Sequence, residues 1–139
     1  MKRDFLKTLA QHSLRTTQPR IVIFELLERA ASPLPITEII RGCPEVDKVS
    51  VYRTIDLFLK LHVIESIAHG WKQHYELATP FRPHHHHLRC TQCQNIIEIR
   101  SDTLERVIHS ITDELAFQPV AHTFEIVGLC ETCQKLNAE

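Results

Sequence analysis

The stretch His84-His85-His86-His87-Leu88-Arg89-Cys90-Thr91-Gln92-Cys93 places four consecutive histidines directly before a Cys-x-x-Cys pair. A second pair of the same spacing, Cys130 and Cys133, lies near the C-terminus. Two such pairs are typical of a tetrahedral zinc site, because each short loop presents two sulfurs to one ion. The alternative is two disulfides or two redox dithiols. The interval between the pairs is longer than in a zinc ribbon, and a small strand–helix–strand module would fill it.

The four histidines have more than one interpretation. If the run is a strand, side chains alternate, so His84 and His86 lie on one face of a sheet and His85 and His87 on the other. One run would then serve two separate metal sites of imidazole and carboxylate ligands, which suit borderline and harder metals. As a solvated loop or a tag remnant, the run would have no such geometry. We take the strand as the working hypothesis.

Composition and charge suggest two parts with different roles. The 139 residues, with a formal net charge of −1 and 43% hydrophobic content, allow one domain or two small ones. Residues 1–83 hold 12 Lys and Arg against 9 Asp and Glu, whereas residues 84–139 hold 4 against 8. The first part could face a polyanion and the second, which is rich in His and Cys, a cation.

The sequence also bears on the compartment. We see no signal peptide and no apolar run long enough to span a membrane, so we expect a cytoplasmic protein with no membrane partner. Disulfides are rare in a reducing cytosol, which favours metal binding by the cysteine pairs. The fifth cysteine, Cys43, is expected to be a small buried hydrophobe.

Residues 1–78 are predicted to form a winged helix-turn-helix domain. Helices are expected over residues 4–13, after a Thr17 cap, over 36–41, and from an Asp47 cap to about residue 61. On the last of these, Ser50 and Arg53 lie off the apolar stripe and Tyr52 lies at its margin, which is typical of a DNA-binding helix. Two strands around the turn at residues 69–71 would form the wing. The alternative is a generic helical bundle with a solvated face.

Residues 79–83 are predicted to be a semi-rigid linker because they contain two prolines. Residues 84–139 would form a small α/β domain with strands over 84–90, 95–100 and 120–129 and a helix over 102–116. The third strand would carry His122. A domain of this size cannot build a large core, so a bound metal and a partner sheet would both stabilise it. The predicted fold class is therefore α+β.

Four segments give the chain a resemblance, nearly end to end, to the ferric uptake regulator family of bacterial metal-responsive repressors. They are residues 14–20 (LRTTQPR), 50–55 (SVYRTI), the tract 84–93, and His122 followed by 128–133 (GLCETC). The resemblance implies an N-terminal winged helix and a C-terminal dimerisation domain, acting as a homodimer on an inverted repeat in double-stranded DNA. Arg15 is a candidate for a minor-groove or phosphate contact, beside Ser50, Tyr52 and Arg53 on the recognition helix.

The resemblance also implies three metal sites. The four cysteines match the family's structural zinc site: Cys90, Cys93, Cys130 and Cys133. One histidine pair matches a site within the dimerisation domain: His84, His86, Glu105 and His122. The other pair, joined by nearby carboxylates, matches the interdomain site that drives allostery: His85, His87, Glu65, Glu76 and Glu98.

Two departures from the family pattern bear on the regulatory metal. Iron and peroxide sensors of the family usually place a histidine before the third helix, where residues 32–35 read Ser-Pro-Leu-Pro. Zinc sensors often lack that histidine and use a group at the start of the wing, where this chain has Glu65. Their frequent cysteine after the wing is replaced near Ala78. We expect regulatory Zn²⁺, with Fe²⁺ or Mn²⁺ as the alternative, and the missing histidine weighs against peroxide sensing.

Two functions outside the family remain as alternatives. A zinc hydrolase would need an open coordination position and a general base, for which Glu98 or Glu105 could serve. A thiol redox sensor would use the cysteine pairs. The sequence has no Gly-rich loop and no obvious substrate cleft, so we expect a protein that is not an enzyme.

Overall fold

The computed structural model describes residues 1–69 and 72–137, and the chain divides into two compact units, Met1–Pro83 and His84–Glu139. The elements of the first unit, in chain order, are α1 (Lys2–Gln11), α2 (Gln18–Arg29), β1 (Leu34–Pro35), α3 (Ile36–Gly42), α4 (Lys48–Lys60), β2 (Ile64–His69) and β3 (Lys72–Leu77). Those of the second unit are β4 (His86–Cys90), β5 (Ile96–Ile99), α5 (Asp102–Glu114), β6 (Glu125–Gly128) and α6 (Glu131–Leu136).

Helices α2, α3 and α4 begin where the sequence predicts, whereas α1 begins at Lys2, two residues before its predicted start. Asp47 caps α4, because its carboxylate accepts a hydrogen bond from the backbone N–H of Ser50 at 3.0 Å. The side-chain hydroxyl of Ser50, and after it this backbone bond, lower the pKa of Asp47. Thr17 occupies the N-cap position of α2, with a proline in the first turn, but its side chain makes no capping hydrogen bond.

Helices α1 and α4 both end in a left-handed residue that is not glycine. Ser13 follows α1 with φ of 55°, and His62 follows α4 with φ of 52°. After Ser13, the N–H of Leu14 donates to the carbonyl of Leu9 at 2.9 Å, the six-to-one bond of a Schellman motif. Each motif therefore carries the backbone strain that a side chain meets in the left-handed region.

Aromatic rings form the centre of the first core. Phe5 stacks on Phe24 with ring centroids 4.1 Å apart, and Phe58 packs edge-on against Phe5 at 5.3 Å. Phe81 packs edge-on against Phe24 at 5.7 Å and is only 3% exposed. Residues 79–83, predicted as a linker, therefore contribute to this core and belong to the first unit. Cys43 is fully buried in the same core, as predicted.

The sheet of the first unit has the order β1-β3-β2, and both pairings are antiparallel. The predicted wing strands exist as β2 and β3, while residues 70 and 71 of the predicted turn lie outside the described residues. Strand β1 was not predicted. It has two residues, and Leu34 pairs with Tyr75 across the sheet. Helix α2 packs against β3, α3 against β1 and β3, and α4 against β2.

The sheet of the second unit has the order β5-β4-β6, in which β4 pairs antiparallel with β5 and parallel with β6. The predicted strand boundaries were too wide. Strand β4 begins at His86, and β6 covers only Glu125–Gly128, so His122 lies in the irregular segment before it. Helix α5 was predicted and is capped by the hydroxyl of Ser101, whereas the short helix α6 was not predicted.

The second unit leaves much of its apolar surface uncovered. On α5, Val107 and Ile111 are 50% and 53% exposed, and Leu115 at its C-cap is 73% exposed. On β6, Ile126 and Val127 are about half exposed. Apolar surface of this extent is unusual on a monomer and marks a contact with another molecule. Within residues 1–69 and 72–137, no helix has both the length and the apolar character needed to cross a bilayer.

Candidate metal centres and DNA-reading face

The four paired cysteines meet in one cluster, and their sulfur atoms all lie within 4.8 Å of one another. The sulfurs of Cys93 and Cys130 are 3.7 Å apart. A zinc–thiolate distance of about 2.3 Å gives a tetrahedron with edges of roughly 3.8 Å. The spacing of these donors therefore fits a tetrahedral zinc ion.

Backbone contacts between the two cysteine loops hold the cluster together. Cys90 is the last residue of β4, and Cys130 is the N-cap of α6. The N–H of Cys130 donates to the sulfur of Cys90 at 3.4 Å, and the N–H of Thr91 donates to the carbonyl of Gly128 at 2.8 Å. The ends of β4 and β6 are thus joined at the point where the sulfurs converge.

The thiols of the cluster differ in acidity. Backbone N–H groups of Cys130 and Cys93 point at the sulfur of Cys90 and lower its pKa to about 6. Burial and the neighbouring sulfurs raise the pKa of Cys133 to about 12. Cys90 is therefore the thiol of the two that loses its proton more readily, and binding of an ion would displace protons from the remaining thiols.

The structure adds one residue to this cluster that the sequence argument missed. Gln94, directly after the first cysteine pair, has φ of 63°. Its N–H donates to the carbonyl of Cys90 at 3.1 Å, and its side-chain amide donates to the carbonyl of Thr91 at 2.6 Å. A left-handed residue at this point lets the chain reverse tightly between β4 and β5. In the sequence, the tight reversal required after the Cys-x-x-Cys pair was the feature that could have indicated a left-handed residue here.

A second cluster joins three histidines to one carboxylate. Glu105, in the first turn of α5, has one oxygen 2.8 Å from Nε2 of His86 and the other 3.4 Å from Nε2 of His122. Nε2 of His84 lies 2.9 Å from Nε2 of His122 and 3.5 Å from the carboxylate. Four donors around zinc at about 2.0–2.1 Å would be separated by roughly 3.3 Å. The cluster therefore has the donor types and size of a four-coordinate site.

The electrostatics of the second cluster suit a metal ligand set. The hydrogen bond from His86 lowers the pKa of Glu105 and keeps it ionised. Burial lowers the pKa of His84, and the neighbouring imidazoles act in the same direction, against the attraction of Glu105. A carboxylate with neutral imidazoles is the protonation state that divalent metals bind. His86 is 2% exposed, so this donor set is partly shielded from water.

The other two histidines lie together on the opposite face of the run. The rings of His85 and His87 are 4.8 Å apart, and those of His84 and His86 are 4.7 Å apart. The alternation therefore holds although β4 begins only at His86. Nε2 of His85 lies 3.9 Å from a carboxylate oxygen of Glu98.

Two further predicted ligands belong to the first unit. Glu76 is 1% exposed on β3, and it lies directly opposite Glu65 of β2 in the strand register.

The predicted DNA-reading residues lie on the polar side of α4 and in the segment before α2. Tyr52 is 53% exposed, Arg53 is exposed, and the N–H of Ser50 is held by the cap. Arg15 is exposed, and its carbonyl accepts a hydrogen bond from the guanidinium of Arg20. Helix α4 thus presents an aromatic and a cationic side chain to solvent, as a recognition helix does.

Comparison with known proteins extends these observations. The model of the ferric uptake regulator family matches residues 11–127. The ferric uptake regulation protein of Campylobacter jejuni is 30% identical, and the match covers 97% of this chain and 89% of that protein.

Solved structures agree with the fold. A structure of the Helicobacter pylori ferric uptake regulator is 21% identical, with a TM-score of 0.81 over 95% of this chain and 90% of that one. A zinc uptake regulator solved with zinc and DNA is 21% identical, with a TM-score of 0.63 over 99% of this chain and 95% of that one. At this identity the likeness shows the fold.

A winged helix with an exposed basic recognition face, followed by an α/β unit with clusters of metal-binding residues, defines a class of metal-dependent DNA-binding regulators. The chain belongs to the ferric uptake regulator family, whose members are metal-responsive transcription regulators and not enzymes.

Proposed function

We propose that this protein is a dimeric repressor that binds an inverted repeat in double-stranded DNA when its regulatory site holds zinc. The observation that supports the choice of zinc is the stretch of residues 32–35, which reads Ser-Pro-Leu-Pro and has no histidine where iron and peroxide sensors of the family usually place one. Fe²⁺ or Mn²⁺ is the second candidate, since the Campylobacter relative is named for ferric uptake.

We assign a separate role to each metal-binding cluster. The cysteine cluster holds structural zinc, whose binding free energy contributes directly to folding of the second unit. The cluster of His84, His86, Glu105 and His122 binds an exchangeable ion within the dimerisation domain. His85 and His87, with Glu98 and with Glu65 and Glu76 of the first unit, form the regulatory site. A ligand held by both units restricts their relative orientation, and it shifts the equilibrium only by its difference in affinity between states.

The partners follow from the surfaces of the two units. The uncovered apolar side chains of α5 and β6 support a homodimer through the second unit, because burying them against a second copy removes them from water. Arg53, Tyr52, Ser50 and Arg15 are the proposed DNA contacts, with Arg53 reading a base edge or a phosphate. A regulator of this kind works in the cytoplasm.

The test combines metal analysis with DNA binding. Protein purified without added metal should retain one zinc per chain that survives chelation until the thiols are alkylated. Double-stranded DNA selected from a random pool by the metal-loaded protein should then be titrated in the presence of Zn²⁺, Mn²⁺ or anaerobic Fe²⁺. Because most protein sites bind Zn²⁺ more tightly than Mn²⁺ or Fe²⁺, the extent of DNA binding at saturating metal is compared. Zinc should promote full binding and the other two metals little. If saturating Mn²⁺ or Fe²⁺ promotes full binding and Zn²⁺ does not, the second candidate replaces the first.

A further inference from the structure

His87 lies between two glutamates on one face of the second sheet. In the strand register, His87 of β4 is directly opposite Glu98 of β5 on one side and Glu125 of β6 on the other. Directly opposed residues on neighbouring strands share a face, and neighbouring strands lie about 4.7–4.9 Å apart. Either carboxylate is therefore within reach of an ion bound at His87.

The two glutamates differ in their neighbours. Glu98 has an oxygen 3.9 Å from Nε2 of His85. Glu125 is held by Arg89, whose Nε and Nη2 donate to its two oxygens at 3.0 Å and 3.4 Å. Arg89 follows His87 by two positions on β4, so both point to the same face. Its side chain is only 19% exposed.

A bidentate arginine–carboxylate pair of this kind is stronger than a surface lysine–carboxylate pair, because the planar guanidinium donates to both carboxylate oxygens. It neutralises Glu125 and fixes its rotamer. Arg89 also places a positively charged side chain two residues after His87. Both effects act against a cation on this face of the sheet, and neither would exist if residue 89 were apolar.

We propose that Arg89 withholds Glu125 from the metal bound by His85 and His87, and thereby sets the affinity and selectivity of that site. The proposal rests on the proposed function of these two histidines as metal ligands. Without Arg89, Glu125 is a free carboxylate opposite His87 and can approach the ion. An added carboxylate favours divalent cations in general and harder ones such as Mn²⁺ in particular. Arg89 is thus a positioning residue that keeps one further carboxylate away from the bound ion.

The test is a double-mutant cycle with Arg89→Leu, Glu125→Gln and the combination of the two, in chains that retain structural zinc. Zn²⁺ and Mn²⁺ are titrated separately, and the relevant binding event is the one that His85→Ala/His87→Ala abolishes. Arg89→Leu should tighten this event on the order of tenfold, since a unit charge moves into contact with a divalent ion. The gain should be larger for Mn²⁺ than for Zn²⁺.

The combined variant separates recruitment of Glu125 from simple loss of a positive charge. With Glu125→Gln present, Arg89→Leu should change the affinity little, because the amide brings no charge. Lys135→Leu is the matched control, since it removes the cation of an exposed pair with Glu131 on α6. Arg89→Gln, which keeps a polar side chain, is the second variant in case the leucine impairs folding.

Two results would overturn the proposal. One is unchanged affinity in both Arg89 variants while their melting temperatures match wild type. The other is a tightening that persists in full in the combined variant. A wrong proposed function would give a different result. His85→Ala/His87→Ala would then bind metal as wild type does, and no metal-binding event could be assigned to these two histidines.

Discussion

Removal of one histidine pair should have a different effect from removal of the other, because the two pairs lie on opposite faces of the run His84–His87. The perturbations are His84→Ala/His86→Ala and His85→Ala/His87→Ala, which delete the same side chains from the same short run. The first pair contacts Glu105 and His122 within the second unit. The second pair is the proposed regulatory one. If the four histidines formed one flexible metal-collecting loop, both variants would behave alike.

The expected magnitudes follow from the contacts. Loss of a residue that merely supports a ligand costs about 10–100-fold in metal affinity, so loss of two direct ligands should cost at least about 10²–10⁴-fold. His84→Ala/His86→Ala also removes the 2.8 Å hydrogen bond from His86 to the ionised Glu105. A hydrogen bond to a charged group contributes on the order of 1.5–3 kcal/mol, so this variant should melt at a lower temperature.

The assay is a zinc titration in which metal stoichiometry, dimer mass and binding to the selected DNA are followed together. We expect His85→Ala/His87→Ala to remain dimeric and to lose metal-activated DNA binding. We expect His84→Ala/His86→Ala to lose one exchangeable metal per chain and part of its stability, while DNA binding still responds to zinc. Indistinguishable phenotypes would refute the opposite-face assignment.

Three further perturbations test the zinc cluster, the recognition helix and its cap, and a fourth tests a strained helix end. Cys90→Ser should unfold the second unit or dissociate the dimer, because structural zinc contributes about 10–16 kcal/mol against a total stability of about 5–15 kcal/mol; unchanged melting, mass and zinc content would contradict this. Arg53→Ala should weaken binding to the selected DNA by on the order of 1–3 kcal/mol with metal content intact, whereas Lys60→Ala, at the other end of α4, should have little effect at matched salt. The lowered pKa of Asp47 means that its cap stabilises the fold above the unfolded pKa of about 3.9 and loses this effect as pH falls through the lower folded pKa. The stability difference between wild type and Asp47→Asn in urea should therefore be constant from pH 7 to 5 and change only below about pH 4. Ser13→Gly should stabilise the first unit by about 0.5–1 kcal/mol, since it relieves a left-handed side chain at φ of 55°, and a lower melting temperature would count against that reading.

Features with a local cause were predictable from the sequence. The start of α4 is an example, because Asp47 and the following apolar periodicity act within one helical turn. The convergence of the cysteines was likewise predictable, because Cys-x-x-Cys spacing constrains each pair by itself. The alternation of the four histidines could be predicted from the two-residue period of an extended chain alone.

Features with a distant cause were not predictable in this way. Strand β1 exists because Leu34 and Pro35 pair with β3, about forty residues further along the chain. Strand β6 was predicted too long because nothing in the sequence marks where His122 leaves the sheet to reach Glu105. Glu105 itself was identified through resemblance to a family, not from spacing. The pairing of Arg89 with Glu125 depends on the register of β4 and β6, which only the structure supplies.

The short segment from His84 to Cys90 supplies side chains to the cysteine cluster, to the cluster around Glu105 and to the pair of His85 and His87. Whether the number of residues between the histidines and Cys90 is odd or even therefore matters more than the identity of those residues. Deleting either Leu88 or Arg89 would rotate the histidines by one position relative to Cys90, exchanging the faces reached by the odd and even members. A two-residue insertion would keep the faces but move the donors by about 6.6–6.8 Å along the strand, beyond the reach of their partners. Within these seven positions, we therefore expect this protein to tolerate substitutions more readily than insertions or deletions.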